Sequence, residues 1–243
     1  MTSPGLDPVV AWGERELVPG VTLLHQSQSA ALRFDTDRPV LSSAVLNGGM
    51  RLAQTVLNLR VPKASESEAL EDPAETLART AREASLPMPV VGMMTAASMK
   101  SLRVAQATVS QEALVVLVTT GLENARRAGD PAESRELLRY PRTLGTINMV
   151  VVCSAALAAE TMVEMVMVAT EAKAAVLQEL GITSAVTEGI ATGTGTDAIV
   201  VVGGVAGPAV RYAGKHTLLG EQLARLVMSG LRDSLAWNEG VAE

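Results

Sequence analysis

Cysteine is almost missing from this chain. Cys153 stands alone among 243 residues, so no internal disulfide can form and a reducing compartment is expected. Histidine is nearly as scarce, with only His25 and His216. A zinc site of three histidines or four cysteines is therefore out of reach, whereas a hydrated Mg2+ or Ca2+ held by carboxylates is compatible with the composition. Aromatic residues make up 2% of the chain, too few for a base-stacking platform. A basic surplus is missing as well. Lys and Arg number 20 against 26 Asp and Glu, a net charge of −6, which argues against nucleic acid as a partner. No apolar run of membrane length is uninterrupted, because the most apolar stretch, 150–170, carries Glu160 and Glu164. The first twenty residues mix Asp7, Glu14, Arg15 and Glu16 with apolar positions, unlike a secretory signal. The expectation is a cytoplasmic protein without membrane or nucleic-acid partners. A Gly-x-Ser-x-Gly elbow is also lacking, which weighs against an α/β-hydrolase.

Hydrophobic residues reach 48% and charged ones 19%, enough apolar chain for a sizeable core. Short apolar runs at 9–12, 21–24, 31–34, 40–46 and 55–61 read as strands joined mostly by hairpins. The polar stretch 65–72 reads as a linker. Asp72-Pro73-Ala74-Glu75 then opens a helix to about 86, with Asp72 as N-cap and Pro73 in the first helical position. Strands follow at 90–94, 103–110 and 113–119, then a charged surface excursion at 126–141. A β-branched strand at 146–153 leads into a long helix at 154–180, ended by Gly181. A buried strand at 198–202 and a helix at 218–237 complete the chain. The fold class is α/β of the α+β type: a mixed, largely antiparallel sheet packed by about three main helices, with a four-layer αββα sandwich as the alternative. The whole chain, 1–243, forms one domain, with 1–20 peripheral.

Two features suggest chemistry. At about 100° per residue, the long helix gathers Glu160, Glu164, Glu171 and Gln178 into a polar stripe, yet Lys173 falls in the middle of the opposite apolar face. A lysine there must snorkel, pair with an acid or line a cavity, and a desolvated ammonium suits carboxylate binding or oxyanion stabilisation. The polar stripe bearing Glu171 suits a solvated face. The second feature is Ala191-Thr192-Gly193-Thr194-Gly195-Thr196-Asp197. Its glycines permit close backbone approach, and its amides and hydroxyls can bind an oxyanion. It enters a strand rather than a helix and lacks a following Gly-Lys-Ser/Thr, so nucleotide-loop assignments are disfavoured. Asp197 at the strand mouth is a candidate base. The other reading is a flexible hairpin with threonines at strand edges. Asn47-Gly48-Gly49 is a turn that can meet a ligand, Asn148 reads as a mid-strand hydrogen-bonder, and Thr217 is the N-cap of the last helix, beside His216. Cys153 reads as a buried filler.

Taken in order, Val40-Leu41-Ser42-Ser43-Ala44 with Asn47-Gly48-Gly49, Val91-Gly92-Met93-Met94-Thr95-Ala96-Ala97, Thr119-Thr120-Gly121-Leu122, Gly145-Thr146-Ile147-Asn148, Thr170-Glu171-Ala172-Lys173, residues 191–197 and Gly214-Lys215-His216-Thr217 resemble the adenosylcobinamide amidohydrolase family over residues 40–231. Glu123 departs from the small polar residue expected before Asn124, and the first twenty residues have no matching counterpart. The resemblance implies hydrolysis of the aminopropanol amide of adenosylcobinamide to adenosylcobyric acid in corrinoid salvage. No enzyme cofactor is implied, since the cobalt would reside in the substrate.

On that footing Asp197, or second Glu171, is the expected base. Lys173 and the amides of Gly193, Thr194, Gly195 and Thr196 would stabilise the oxyanion. His216 would protonate the leaving amine or bind its hydroxyl. Asn47, Asn124 and Asn148, together with Gly48, Gly49 and Thr192, would meet the amide-rich corrinoid. A competing route uses Thr194 or Thr196 as nucleophile, activated by Lys173. A corrinoid carrier without catalysis and an amide hydrolase on another substrate are the alternative functions. An apolar Met/Val/Ala surface leaves room for a homo-oligomer.

Overall fold

Strands buried on both faces organise the molecule. The structure, a computed structural model, describes residues 5–7, 10–61, 72–133 and 146–240. The linker at 65–71, the far part of the excursion (134–141), Val9 and Gly145 lie outside the described residues.

Among the described residues ten strands form one sheet: β1 (Gly5–Asp7), β2 (Gly13–Val18), β3 (Val21–Gln26), β4 (Ser29–Ser42), β5 (Gly49–Arg60), β6 (Val90–Thr95), β7 (Arg103–Val109), β8 (Glu112–Thr120), β10 (Ile147–Ala156) and β12 (Ala198–Gly204). A separate two-residue pair joins β9 (Ala125–Arg126) to β11 (Gly193–Thr194). The helices are α1 (Pro73–Glu83), α2 (Ala159–Glu179) and α3 (Leu218–Gly240). The order is β1-β7-β8-β10-β12-β4-β3-β2, with β5 branching from β4 and carrying β6. Among the described strands only β10/β12 and β5/β6 pair in parallel. The α+β class, with a mixed, largely antiparallel sheet and three α-helices among the described residues, is what the structure shows.

The sheet curls so that its two halves face each other. Along β8 and β10, Leu114, Val116, Met149 and Val151 pack under α2 and α3, while Val115, Leu117, Val150 and Val152 point between the halves. Such strands read as unbroken apolar runs because both faces are dry. On the far side, Leu57 and Leu59 of β5 pack with Leu77 and Ala81 of α1. The layers therefore run helix, sheet, sheet, helix, with one continuous sheet supplying both inner layers.

Most boundaries follow local chemistry. Asp72 caps α1, accepting from the Ala74 and Glu75 amides, and Thr217 caps α3 through the Gly220 amide. Gly181 takes φ +64 just beyond α2. Three expectations shift. Residues 10–12 are not a strand, and pairing starts at Gly13. The strand at 146–153 extends to Ala156, so α2 starts at Ala159 rather than 154. The run at 31–34 and residues 40–42 of the run at 40–46 belong to one strand, β4, which passes through the polar Asp35-Thr36-Asp37 as a register shift against β5 and ends at Ser42, so 43–46 lie outside it.

Candidate active site

Parallel pairing of β10 and β12 sets the geometry, because it brings the starts of both strands to one edge: Asn148 pairs with Ala198. The Gly/Thr loop that enters β12 therefore lies beside Thr146 and Ile147. The β9/β11 pair fastens the same loop from the other side, and the Thr192 amide donates to Arg126 O at 2.9 Å.

Asp197 is the hub. Its Oδ1 accepts the Thr194 hydroxyl and, at 3.0 Å, the Ile147 amide. Its Oδ2 accepts the Thr194 amide at 3.0 Å and the Lys173 ammonium. Lys173 reaches it from the apolar face of α2, with its side chain 7% exposed against 12% for Asp197. The pair can form only because residue 193 is glycine. A Cβ there would overlap Asp197 Oδ2 and sit 2.7 Å from Lys173 Nζ. Behind the loop, the Thr146 hydroxyl donates to Thr196 O at 2.8 Å.

The other expected residues divide. Gly195 is exposed at the loop apex, and a Cβ on it would come 3.2 Å from Asn124 Nδ2, so Asn124 belongs to this neighbourhood. The Thr192 hydroxyl accepts the Ala128 amide at 2.9 Å and serves the loop. The Thr196 amide turns inward toward Thr194 Oγ1 at 3.5 Å. With the Thr194 amide on Asp197 and the Thr196 amide turned toward Thr194, Gly195 is the exposed residue at which a ligand can meet the loop backbone. Asn148 is 2% exposed and donates to Asn58 Oδ1 at 2.7 Å and Met94 O at 2.9 Å, so it ties the two sheet halves together. Asn47, at φ +56, donates to Val90 O at 2.8 Å and pins the β4–β5 turn in which Gly48 and Gly49 sit.

Glu171 and His216 go elsewhere. Two residues apart on a helix means about 200° of rotation, so Glu171 points away from Lys173 and pairs with Lys215 at the surface. His216, next to Lys215, is exposed on that same side. Among the described residues no group of three or more His, Cys, Asp or Glu side chains is placed to hold a metal. No helix among them is long and apolar enough to cross a membrane.

Several contributors were given no role in the sequence reading. Thr146 and the Ile147 amide are visible only through strand pairing. Asn58, which donates to Thr119 Oγ1 at 2.9 Å, carried the same signal as Asn148, an amide inside an apolar strand. Arg126 arrives through a two-residue pair between segments far apart in sequence, and it forms an ion pair with Glu133.

The model of one family, described as adenosylcobinamide amidohydrolase, matches residues 15–243. This chain belongs to the adenosylcobinamide amidohydrolase family. Membership makes it a hydrolase of a carbon–nitrogen amide bond, and the match reaches into the first twenty residues, for which no counterpart was expected. Among curated relatives, an adenosylcobinamide amidohydrolase of Methanosarcina mazei is 26% identical over 202 residues, 79% of this chain and 88% of that protein. An uncharacterized protein of Methanocaldococcus jannaschii is 34% identical over 157 residues, 59% of this chain. That match spans 61% of the archaeal protein's length. Among solved structures, a Burkholderia sp. β-aminopeptidase superposes with a TM-score of 0.46 at 14% identity, over 96% of this chain and 84% of that one. A Pyrococcus horikoshii OT3 protein gives 0.45 at 11% identity, over 96% and 83%.

Proposed function

We propose that this chain hydrolyses the amide joining aminopropanol to the corrin of adenosylcobinamide, releasing adenosylcobyric acid and the amino alcohol in corrinoid salvage. The observation that carries the reading is a single largely buried carboxylate, Asp197, its side chain 12% exposed, holding a hydroxyl and an ammonium at the end of a glycine-rich loop. Amide hydrolysis asks for that set: a proton acceptor for the attacking oxygen, donors for the oxyanion and a proton for the leaving amine.

In this scheme the attacking oxygen bonds to the amide carbon as its proton passes to Asp197 Oδ1. The carbonyl electron pair moves onto oxygen, where the Gly195 amide and a spare N–H of Lys173 receive it; the ammonium has three donors and Asp197 takes one. Collapse breaks the C–N bond, and the proton on Asp197 leaves with the amine. Glu171 and His216, on the other flank of α2, take no part in this scheme. Cobalt enters only within the substrate.

The attacking oxygen is water or Thr194 Oγ1. The hydrogen bond from Thr194 to Asp197 favours the threonine, since nucleophile and base already touch; that route passes through an ester which water then cleaves. Acid quench during turnover, followed by mass analysis of the 191–197 peptide, separates the routes: a corrinoid adduct on Thr194 establishes the ester, and an unmodified peptide establishes direct attack by water. The function itself is tested by incubating the protein with adenosylcobinamide. Release of aminopropanol and adenosylcobyric acid in equal amounts is expected, and corrinoid binding without release would reduce the protein to a carrier.

A further inference from the structure

Among the described residues, the outer face of the curled sheet is covered at one end by α2 and α3 and at the other by α1, and no described element covers the apolar strip between them. Its floor is the β4–β5 pair, where Leu41 stands opposite Met50 and Pro39 opposite Leu52. Directly opposed residues share a face, and Leu41 packs against the core beneath α2. Met50 and Leu52 therefore lie on the outer face, yet they are 51% and 55% exposed. Met88, 52% exposed, borders the strip beside Pro89, whose carbonyl accepts the Gln54 and Thr55 amides.

The α2 wall of the strip is apolar too. Glu179, paired with Arg232, marks the side of α2 that faces α3. At about 100° per residue, Val163 and Val166 lie roughly 140–160° round from it, toward β4. Val163 is 49% exposed. Lys173 is only about 20° from Val166 on this wheel, so the wall that borders the strip also carries the catalytic ammonium. The floor leads to the same place. Past Leu41, the Ser43 amide donates to Ile199 O and the Ile199 amide to Ser43 Oγ, both at 3.1 Å, two residues beyond Asp197.

We infer that this strip is the docking shelf for the corrin macrocycle. The inference rests on the corrinoid reading above and adds to it where the bulk of the substrate sits. A corrin is a large ring with methyl groups on its faces and amide arms at its rim. A flat apolar shelf running out of the catalytic loop lets the ring lie on Leu41, Met50, Leu52 and Met88 while one rim amide reaches Asp197. Methionine side chains adapt to an irregular methyl-studded face better than branched ones. The outlying exposed residues Val205 and Tyr212 have no such continuity with Asp197.

The test places charge on the shelf. Met50→Asp and Leu52→Asp, singly and combined, change exposed side chains, and Val205→Asp at the far end of β12 is the control. The expected result is a KM for adenosylcobinamide raised tenfold or more in the double variant, with kcat within about twofold and the control unchanged. Equilibrium dialysis, read by the corrinoid's own visible absorbance, should show the same loss of binding. An unchanged KM, or equal corrinoid retention by wild type and double variant, overturns the shelf. So does a wild-type dimer that the double variant splits in sedimentation while KM stays constant, because the strip would then be covered by a second copy. If the wild-type protein releases no aminopropanol, the reaction falls but dialysis still decides the shelf: corrinoid held by wild type and lost by the double variant supports it, and no binding by either overturns it.

Discussion

Two lysine–carboxylate pairs share α2, and their donors and acceptors start only two residues apart. Lys173 pairs with Asp197 beneath the helix, and Glu171 pairs with Lys215 on its surface. The side chains of the first pair are 7% and 12% exposed, those of the second 67% for Lys215 and 51% for Glu171. The chemistry is nearly identical, yet the environments differ. In water, attraction is screened and the ordering of two long side chains offsets it. Out of water, each charge depends on its partner, and the same pair becomes a structural commitment and, in the proposed scheme, the reactive centre.

Removing one lysine at a time tests this contrast with the largest expected effect. Lys173→Met leaves the Asp197 carboxylate buried without its counter-charge. Chemical denaturation should show a loss of about 3–5 kcal/mol, and kcat should fall about 10²–10³-fold through loss of the oxyanion donor. Lys215→Met should cost no more than about 1 kcal/mol and leave kcat/KM within twofold. Comparable losses for the two variants would erase the distinction.

A neutral counterpart sharpens the comparison. The Asn58–Thr119–Asn148 network is as buried as the Lys173 pair but carries no charge. Asn58→Leu should cost about 1–3 kcal/mol for the partners it leaves unsatisfied, while kcat stays within about threefold. A collapse of kcat with stability intact would mean that the network acts on the substrate.

Salt should separate the two ion pairs without mutation. Raising ionic strength to 1 M shortens the screening length to about 3 Å, which removes the small contribution of Glu171–Lys215 and leaves Lys173–Asp197 in place. A double-mutant cycle at each pair, in low and high salt, should find a salt-sensitive coupling only on the surface.

The smallest effect is one of pH. Asp130, in the loop next to Arg126, has its carboxyl held below the usual range by hydrogen bonds from Ser184 and the Arg127 amide, with further help from Thr187 and Arg126. A depressed folded value means that its contribution is present above the unfolded value of about 3.9 and is lost as pH falls through the folded one. Exchange protection of the Val186 and Thr187 amides, which donate to Ser184 Oγ, should drop below about pH 4. In Asp130→Asn it should already be low at neutral pH.

How much of this was readable from the sequence depends on where each signal resides. Helix ends were legible because Asp72, Thr217 and Gly181 act on their own neighbours. Lys173 was legible as an anomaly, since a charge at the centre of an apolar helical face is visible in the wheel alone. Asp197 was expected at one site with Lys173, but their direct ion pair was not in the reading, because it depends on the alignment of β10 and β12. Glu171 was legible in the same wheel, on the polar stripe opposite Lys173, and its surface pairing with Lys215 follows that solvated-face reading and not its second-choice assignment as a base. The amides of Asn47 and Asn148 looked ready for a ligand, but positive φ at one and inter-sheet bonding at the other commit them to the fold. Strand β4 was split in the reading by its polar centre, since a register shift has no signature in composition.

The central claim is that Asp197, not the outer flank of α2, operates on the corrinoid amide. The most direct test measures aminopropanol release from adenosylcobinamide by wild type, Asp197→Asn and Glu171→Gln, with circular dichroism confirming that each is folded. The account predicts stoichiometric release by wild type, about 10³-fold slower release by Asp197→Asn and near-normal release by Glu171→Gln. A folded Asp197→Asn protein that turns over at the wild-type rate would contradict it.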